Sequence, residues 1–159
     1  MKIFFDGRRD NTGLHSNIGV CSNNVYDLQA VHMMINSLKK IENETPGLND
    51  TLVAFHASHG KNYLKERMHR SFNHSKYAYY RIRPLCLESL VYAGLDVIDL
   101  VEVQKVQLIE LQSLLHSDYD TALYIASVAS YYYKKEACKE LMNELKHIMF
   151  KQTFSIKAK

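Results

Sequence analysis

Three sets of side chains in this 159-residue sequence have types and spacings that could do chemistry. The first is a run of imidazoles: His56-Ala57-Ser58-His59, then His69 and His74. Two histidines separated by two residues could share one metal ion on a helix or tight turn. The stretch offers no cysteine and only Glu66 as an acidic ligand, and its spacing matches no zinc-binding pattern. The expectation is no metal and no cofactor, with partly exposed histidines in a helix and its loop. The second set is His59 with Cys86, a base and a thiol. They would act as a nucleophile only if folding brought them together and lowered the thiol pKa. Cys86, in Pro84-Leu85-Cys86-Leu87, otherwise reads as a buried apolar residue.

The third set is larger. Between 61 and 83 stand seven cations (Lys61, Lys65, Arg67, Arg70, Lys76, Arg81, Arg83), one acid (Glu66), and the rings of Tyr63, Phe72, Tyr77, Tyr79 and Tyr80. Cations attract phosphates and acidic surfaces, and exposed rings stack on bases or fill partner pockets. With a pI of about 8.7 and no recognised nucleic-acid motif, a protein partner with an acidic face is preferred over nucleic acid. The partner-binding residues assigned on this reading are Lys61, Tyr63, Lys65, Arg67, Arg70, Lys76, Tyr79 and Arg81. The net charge of +3 conceals a segregation. Residues 61–83 carry +6, residues 84–130 carry −6 and residues 131–159 carry +4. Blocks of alternating sign can balance inside one fold or present one-signed faces to a partner.

The elements that must position these groups read as helices. Lys2 to Phe5 suggests a short strand or apolar tuck, and Arg8 to Asn24, rich in Asn, Ser and Gly, reads as loop. Val25, Leu28, Val31, Met34, Ile35, Leu38 and Ile41 recur at helical steps, predicting a helix over 24–43 capped by Asn23 or Asn24. Residues 50–60 are ambiguous between strand and helix; Asp50 as a cap and Gly60 as a terminator favour a helix. Tyr63, Leu64, Met68 and Phe72 suggest another helix. Residues 84–115 are helical with a break near Gly94, Pro84 in the first position, and a near-heptad stripe of Val97, Val101, Leu108, Leu111 and Leu115 interrupted by Gln104. A helix capped near Ser117 follows, with small residues Ala122, Ala126 and Ala129 beside Ile125 on one face. Tyr131 to Tyr133 leads into a last helix whose stripe includes Leu141 and Leu145, expected to face the core.

Four stretches look faintly alike: Thr12-Gly13-Leu14-His15; Thr51-Leu52-Val53-Ala54 with Ala57 and Gly60; Arg83-Pro84-Leu85-Cys86 with Gly94; and Thr121-Ala122-Leu123-Tyr124 with Ala126. They resemble the T-P-L-H-x-A helix starts of ankyrin repeats. Their spacings of 39, 32 and 38 residues depart from a regular repeat, and no copy is complete. The resemblance implies a protein-binding surface and no catalysis. His59-Gly60 followed by Cys86 is also similar to the His-Gly and Cys placement of caspase-like cysteine proteases, although the segments around Cys86 look helical.

Composition bounds the rest. Hydrophobic residues make up 47% and charged residues 23%, as in an ordinary globular domain, and two prolines with six glycines exclude a Pro/Gly-rich linker. Phosphate-cradling glycine loops, dinucleotide fingerprints, serine elbows and H-E-x-x-H helices are absent from the sequence. The opening MKIFFDGRRDN, with charges arriving at once, does not read as a secretory signal. Three widely spaced cysteines (Cys21, Cys86, Cys138) suit a reducing compartment with buried or free thiols. We therefore expect one helical domain over 1–150 and a flexible basic tail over 151–159. Its class is all-α or nearly so: an irregular bundle of about six or seven helices, alternatively ankyrin-like hairpins, with at most two short strands. The expected role is a cytoplasmic interaction or adaptor module. Abundant Lys, Asn, Ser and Tyr without Trp look similar to small proteins of AT-rich bacterial pathogens or viruses, which would make it an effector or regulator. The alternatives are a cysteine-dependent hydrolase using His59 and Cys86, or a nucleic-acid-binding protein.

Overall fold

A computed structural model describes residues 1–41, 45–65, 67–68, 70 and 83–134. The described chain is mostly helical with two short strands, in the order β1 (Lys2–Phe4), α1 (Arg8–Ile18), β2 (Val25–Asp27), α2 (Leu28–Leu38), α3 (Leu48–Ala54), α4 (Leu87–Leu95), α5 (Leu100–Leu115) and α6 (Tyr119–Lys134). No helix among the described residues is long and apolar enough to cross a membrane. The last expected helix, with Leu141 and Leu145, and the basic tail lie outside the described residues.

Of the two readings of Lys2 to Phe5, strand or apolar tuck, the strand forms, over Lys2–Phe4. It pairs in parallel with β2, Ile3 opposite Tyr26. Parallel strands need a crossover, and here α1 supplies it where composition suggested loop. That helix buries no residue and is held at its ends instead. The Asp27 carboxylate accepts the Gly7 N–H at 2.8 Å, and Gly19, with φ of 68°, closes the other end by donating to the His15 carbonyl.

The predicted helix over 24–43 is shorter. Its first residues are spent on β2, and its cap is Asp27, not Asn23 or Asn24. Asp27 accepts from the Gln29 and Ala30 amides at 3.0 and 3.3 Å, satisfying two orphan donors of α2. The 50–60 segment is helical at its start, but α3 begins at Leu48, so Asp50 sits in the first turn and accepts the Gly47 N–H. Pro84 lies outside α4, whose cap position is Cys86.

The core packs α2, α5 and α6 around Tyr26, Leu28, Val31, Leu108 and Leu111. On α5 the inward face is Leu100, Val103, Gln104, Gln107, Leu108 and Leu111, while Val97 and Val101 are exposed. The heptad reading is thus rotated: Gln107 is fully buried because its amide donates to the Leu28 carbonyl at 3.0 Å, so a polar residue ties α5 to α2. Gln104, read as an exception in the stripe, belongs to the inward face. On α6, Ala122, Ile125, Ala126 and Ala129 are all buried, as their spacing predicted. Tyr131 to Tyr133 continue α6 rather than opening a new helix.

Candidate functional site

The segment after α3 carries the histidines and the start of the basic-aromatic stretch, and side-chain clamps hold it. His56 takes a left-handed φ of 53°, and Ala57 returns its N–H to the Leu52 carbonyl at 2.9 Å, turning the chain out of the helix. Ser58 then binds Glu102 twice: its N–H donates to Oε2 at 3.0 Å and its hydroxyl to Oε1 at 2.7 Å. These bonds to the charged form hold the Glu102 carboxyl below the usual carboxylate range. His59 places Nδ1 2.7 Å from Oδ1 of Asp99, whose side chain is 3% exposed against 53% for the imidazole. The His59 N–H donates to Asp99 Oδ2 at 3.3 Å. Asp99 and Glu102 stand at the cap and first turn of α5, where carboxylates also meet the positive end of the helix dipole.

Asn62 is the second clamp. It is almost fully buried and exchanges bonds with Asn49: its N–H donates to Asn49 Oδ1 at 2.8 Å, and Asn49 Nδ2 donates to its carbonyl at 3.3 Å. Its own Nδ2 donates to Asp96 Oδ1 at 2.8 Å, and its Oδ1 accepts the Leu64 N–H at 3.1 Å. Below this, Leu64 and Met68 pack on Tyr92 of α4, with Leu95 against them.

The assigned partner-binding residues fall into three groups. Lys61 is exposed and Tyr63 is 74% exposed, both on the clamped loop. Lys65 is half-buried, and Arg67 and Arg70 are exposed. Arg67 Nη2 lies 2.8 Å from Glu88 Oε1 on α4, so this cation already pairs with the acidic segment. Lys76, Tyr79 and Arg81, like His69 and His74, lie outside the described residues.

The structure does not bring His59 and Cys86 together. Cys86 precedes α4, while His59 is held by Asp99 beyond its far end; the nine residues between Leu87 and Leu95 span about 13 Å. The Cys86 thiol is exposed rather than buried, 3.3 Å from the Ser89 hydroxyl. A carboxylate-oriented imidazole such as Asp99–His59 can move protons, but the neighbouring Ser58 hydroxyl is committed to Glu102. Among the described residues no three His, Cys, Asp or Glu side chains are grouped to hold a metal ion.

Sequence reasoning missed Asp99, Glu102 and Asn62. Asp99 had a signal, as an acid just before an apolar helix. Asn62 had none, since its partners lie 13 and 34 residues away. The four repeat-like stretches lie within α1, within α3, just before α4 and in the first turns of α6. No family model matches the chain, and neither a curated protein nor a solved structure matches it.

Proposed function

We propose that this protein is an interaction module that docks an acidic partner surface through Lys61, Tyr63, Lys65, Arg67 and Arg70, acting in a reducing, cytosolic setting. The observation that carries the reading is the clamped presentation of Lys61 and Tyr63. Bonds from Asp99, Glu102, Asn49 and Asp96 fix the loop on both sides of these two exposed side chains. A loop ordered before binding loses less entropy on docking, so its contacts convert more fully into affinity. An exposed Tyr beside cations is the composition of a docking anchor for acidic surfaces. The exposed thiols of Cys21 and Cys86, neither in a disulfide, suit a reducing setting.

The test is capture from a cytosolic lysate by the wild type and by a Lys61→Glu, Lys65→Glu double variant, at low and high salt. Arg67 is left unchanged because it also anchors α4 through Glu88. The reading requires captured protein to fall with both charge reversal and salt while the melting midpoint stays in place. Capture that survives both changes overturns it.

A further inference from the structure

A cleft of about 270 Å³ lies between the start of β2 and α6. One wall is the stretch 22–25. The other is a face of α6, where Tyr124, Ser127 and Tyr131 stand three or four positions apart and so lie side by side. Tyr132 adjoins them, its ring at 88° to that of Tyr131 with 5.5 Å between centroids. Bonds within the protein fix the first wall. The Lys2 N–H donates to the Asn24 carbonyl at 2.8 Å, and Lys2 Nζ donates to the Asn23 carbonyl at 3.3 Å. Asn24 takes a left-handed φ of 54°. The Asp27 N–H, donating to Ser130 Oγ at 2.8 Å, ties β2 to α6. Backbone N–H and C=O directions alternate along a strand, so Val25 turns a donor and an acceptor to that same side, toward α6.

The chemistry of the lining selects the ligand. The rings of Tyr124, 70% exposed, and Tyr131, 49% exposed, offer aromatic surface. The side-chain amides of Asn23 and Asn24 and the hydroxyls of Tyr124 and Ser127 make no hydrogen bond among the described residues. Each of these groups can both donate and accept. None of the described lining residues carries a formal charge. Of the charges beside the walls, Lys2 at Asn23 and Asp120 one turn before Tyr124 have opposite signs, and neither lines the cleft. We infer that this cleft takes one neutral pyranose ring, as a free hexose or as the end residue of a glycan. The C–H face of such a ring is weakly positive and lies against the negative face of an aromatic ring. Its hydroxyls donate and accept at once, as the amides and hydroxyls here do. A polyproline segment would bring carbonyl acceptors and few donors, leaving the acceptors of the cleft unmatched. A quaternary ammonium would use the rings and none of the polar groups. The volume lies just below the ~300–1,000 Å³ of small-ligand pockets, which suits one ring rather than an extended chain.

The experiment is saturation-transfer NMR on the full chain. The neutral probes are glucose, galactose, mannose and N-acetylglucosamine, each also as its methyl α- and β-glycosides. The contrasting probes are N-acetylneuraminic acid, which is charged, and a capped hexaproline. At least one neutral sugar is expected to receive transfer at its ring C–H protons, with a Kd of about 1 mM for so few ligand atoms. A methyl glycoside that binds as well as its parent sugar assigns the glycan end, and binding of the parent alone assigns the free hexose. Tyr124→Ala removes an exposed ring. Asn24→Gly removes an amide while keeping the left-handed backbone. Circular dichroism melts check each fold. A fall in affinity of about tenfold in either folded variant places the sugar in this cleft. The proposal is overturned if no neutral sugar binds, if binding is unchanged in both variants, or if the acid or the hexaproline binds more tightly than every neutral sugar. None of the probed residues belongs to the 58–70 segment, so failure here leaves the docking role of that segment standing.

Discussion

The two buried clusters among the described residues rest on different physics. The larger joins Tyr26, Leu28, Val31, Leu108, Leu111 and the alanines of α6, and buried polar groups thread through it. The Asp27 N–H donates to the Ser130 hydroxyl at 2.8 Å, Tyr133 donates to Gln29, and Gln29 Nε2 donates to the Pro46 carbonyl at 2.7 Å. These bonds compensate the burial of the groups that make them, while the Tyr26 hydroxyl and Gln107 Oε1 are buried with no hydrogen-bond partner among the described residues. Among the described residues the smaller cluster buries Leu64, Met68 and Tyr92. Their burial, at roughly 1.5–3 kcal/mol each, is non-directional and does not by itself fix the segment. Its position is set instead by Asn62, Asp99 and Glu102. The contrast teaches that the α4 corner is fastened by directional bonds. Leu87 and Leu90 of that corner stand in solvent.

That contrast can be broken first at Asp27. Its carboxylate serves four backbone amides, those of Asp6, Gly7, Gln29 and Ala30. Asp27→Ala removes a helix cap and strands buried donors, and should cost about 3–4 kcal/mol in denaturant titration. A cost under about 1 kcal/mol would mean that the polar thread is incidental. Burial raises the Asp27 pKa, against the lowering effect of its backbone hydrogen bonds. The folded state therefore holds the proton more tightly than the unfolded chain. The stability from this group is present below the unfolded carboxylate value and is lost as pH rises through the folded one. The stability gap between wild type and Asp27→Asn should accordingly narrow as pH rises from about 4; a gap that widens would contradict the assignment.

A paired truncation sharpens the comparison next. Leu111, fully buried in the large cluster, should lose about 3–4 kcal/mol on change to Ala. Met68, 1% exposed but in the small cluster, should lose about 2 kcal/mol, because a thin corner collapses more easily around the gap. Equal losses would make the corner a true part of the core. The smallest effect is expected at Asn62→Ala, about 1–2 kcal/mol. Its signature is local: hydrogen exchange should accelerate at residues 58–65 while protection in α5 and α6 holds. Acceleration across all helices would show that the clamp supports the whole fold.

What the sequence made legible follows one rule: local period was readable and distant polar partnership was not. Ala122, Ala126 and Ala129 announce a buried face because their spacing alone places them together. Ser130, on the same helix, gives no sign of its role, since its partner Asp27 lies 103 residues away. Arg8 to Ile18 misled because its Asn, Ser and Gly content resembles loop, and the carboxylate tethering its start is contributed by β2. The heptad on α5 was offset because Gln107 is buried by a backbone carbonyl on α2. At the site, Lys61 and Tyr63 were visible as types, while the bonds that hold them, from Asn49, Asp96 and Asp99, depend on tertiary closure.

The link from Asp27 to Ser130 also sets an order of events during synthesis. The strand pair leaves the ribosome before α6, and the hydroxyl that receives its amide is made 103 residues later. At about 5–20 residues per second, that interval is roughly 5–20 seconds. Until α6 emerges, β2 has one edge without its seal, and during that interval a nascent chain must keep this edge from pairing with a neighbour.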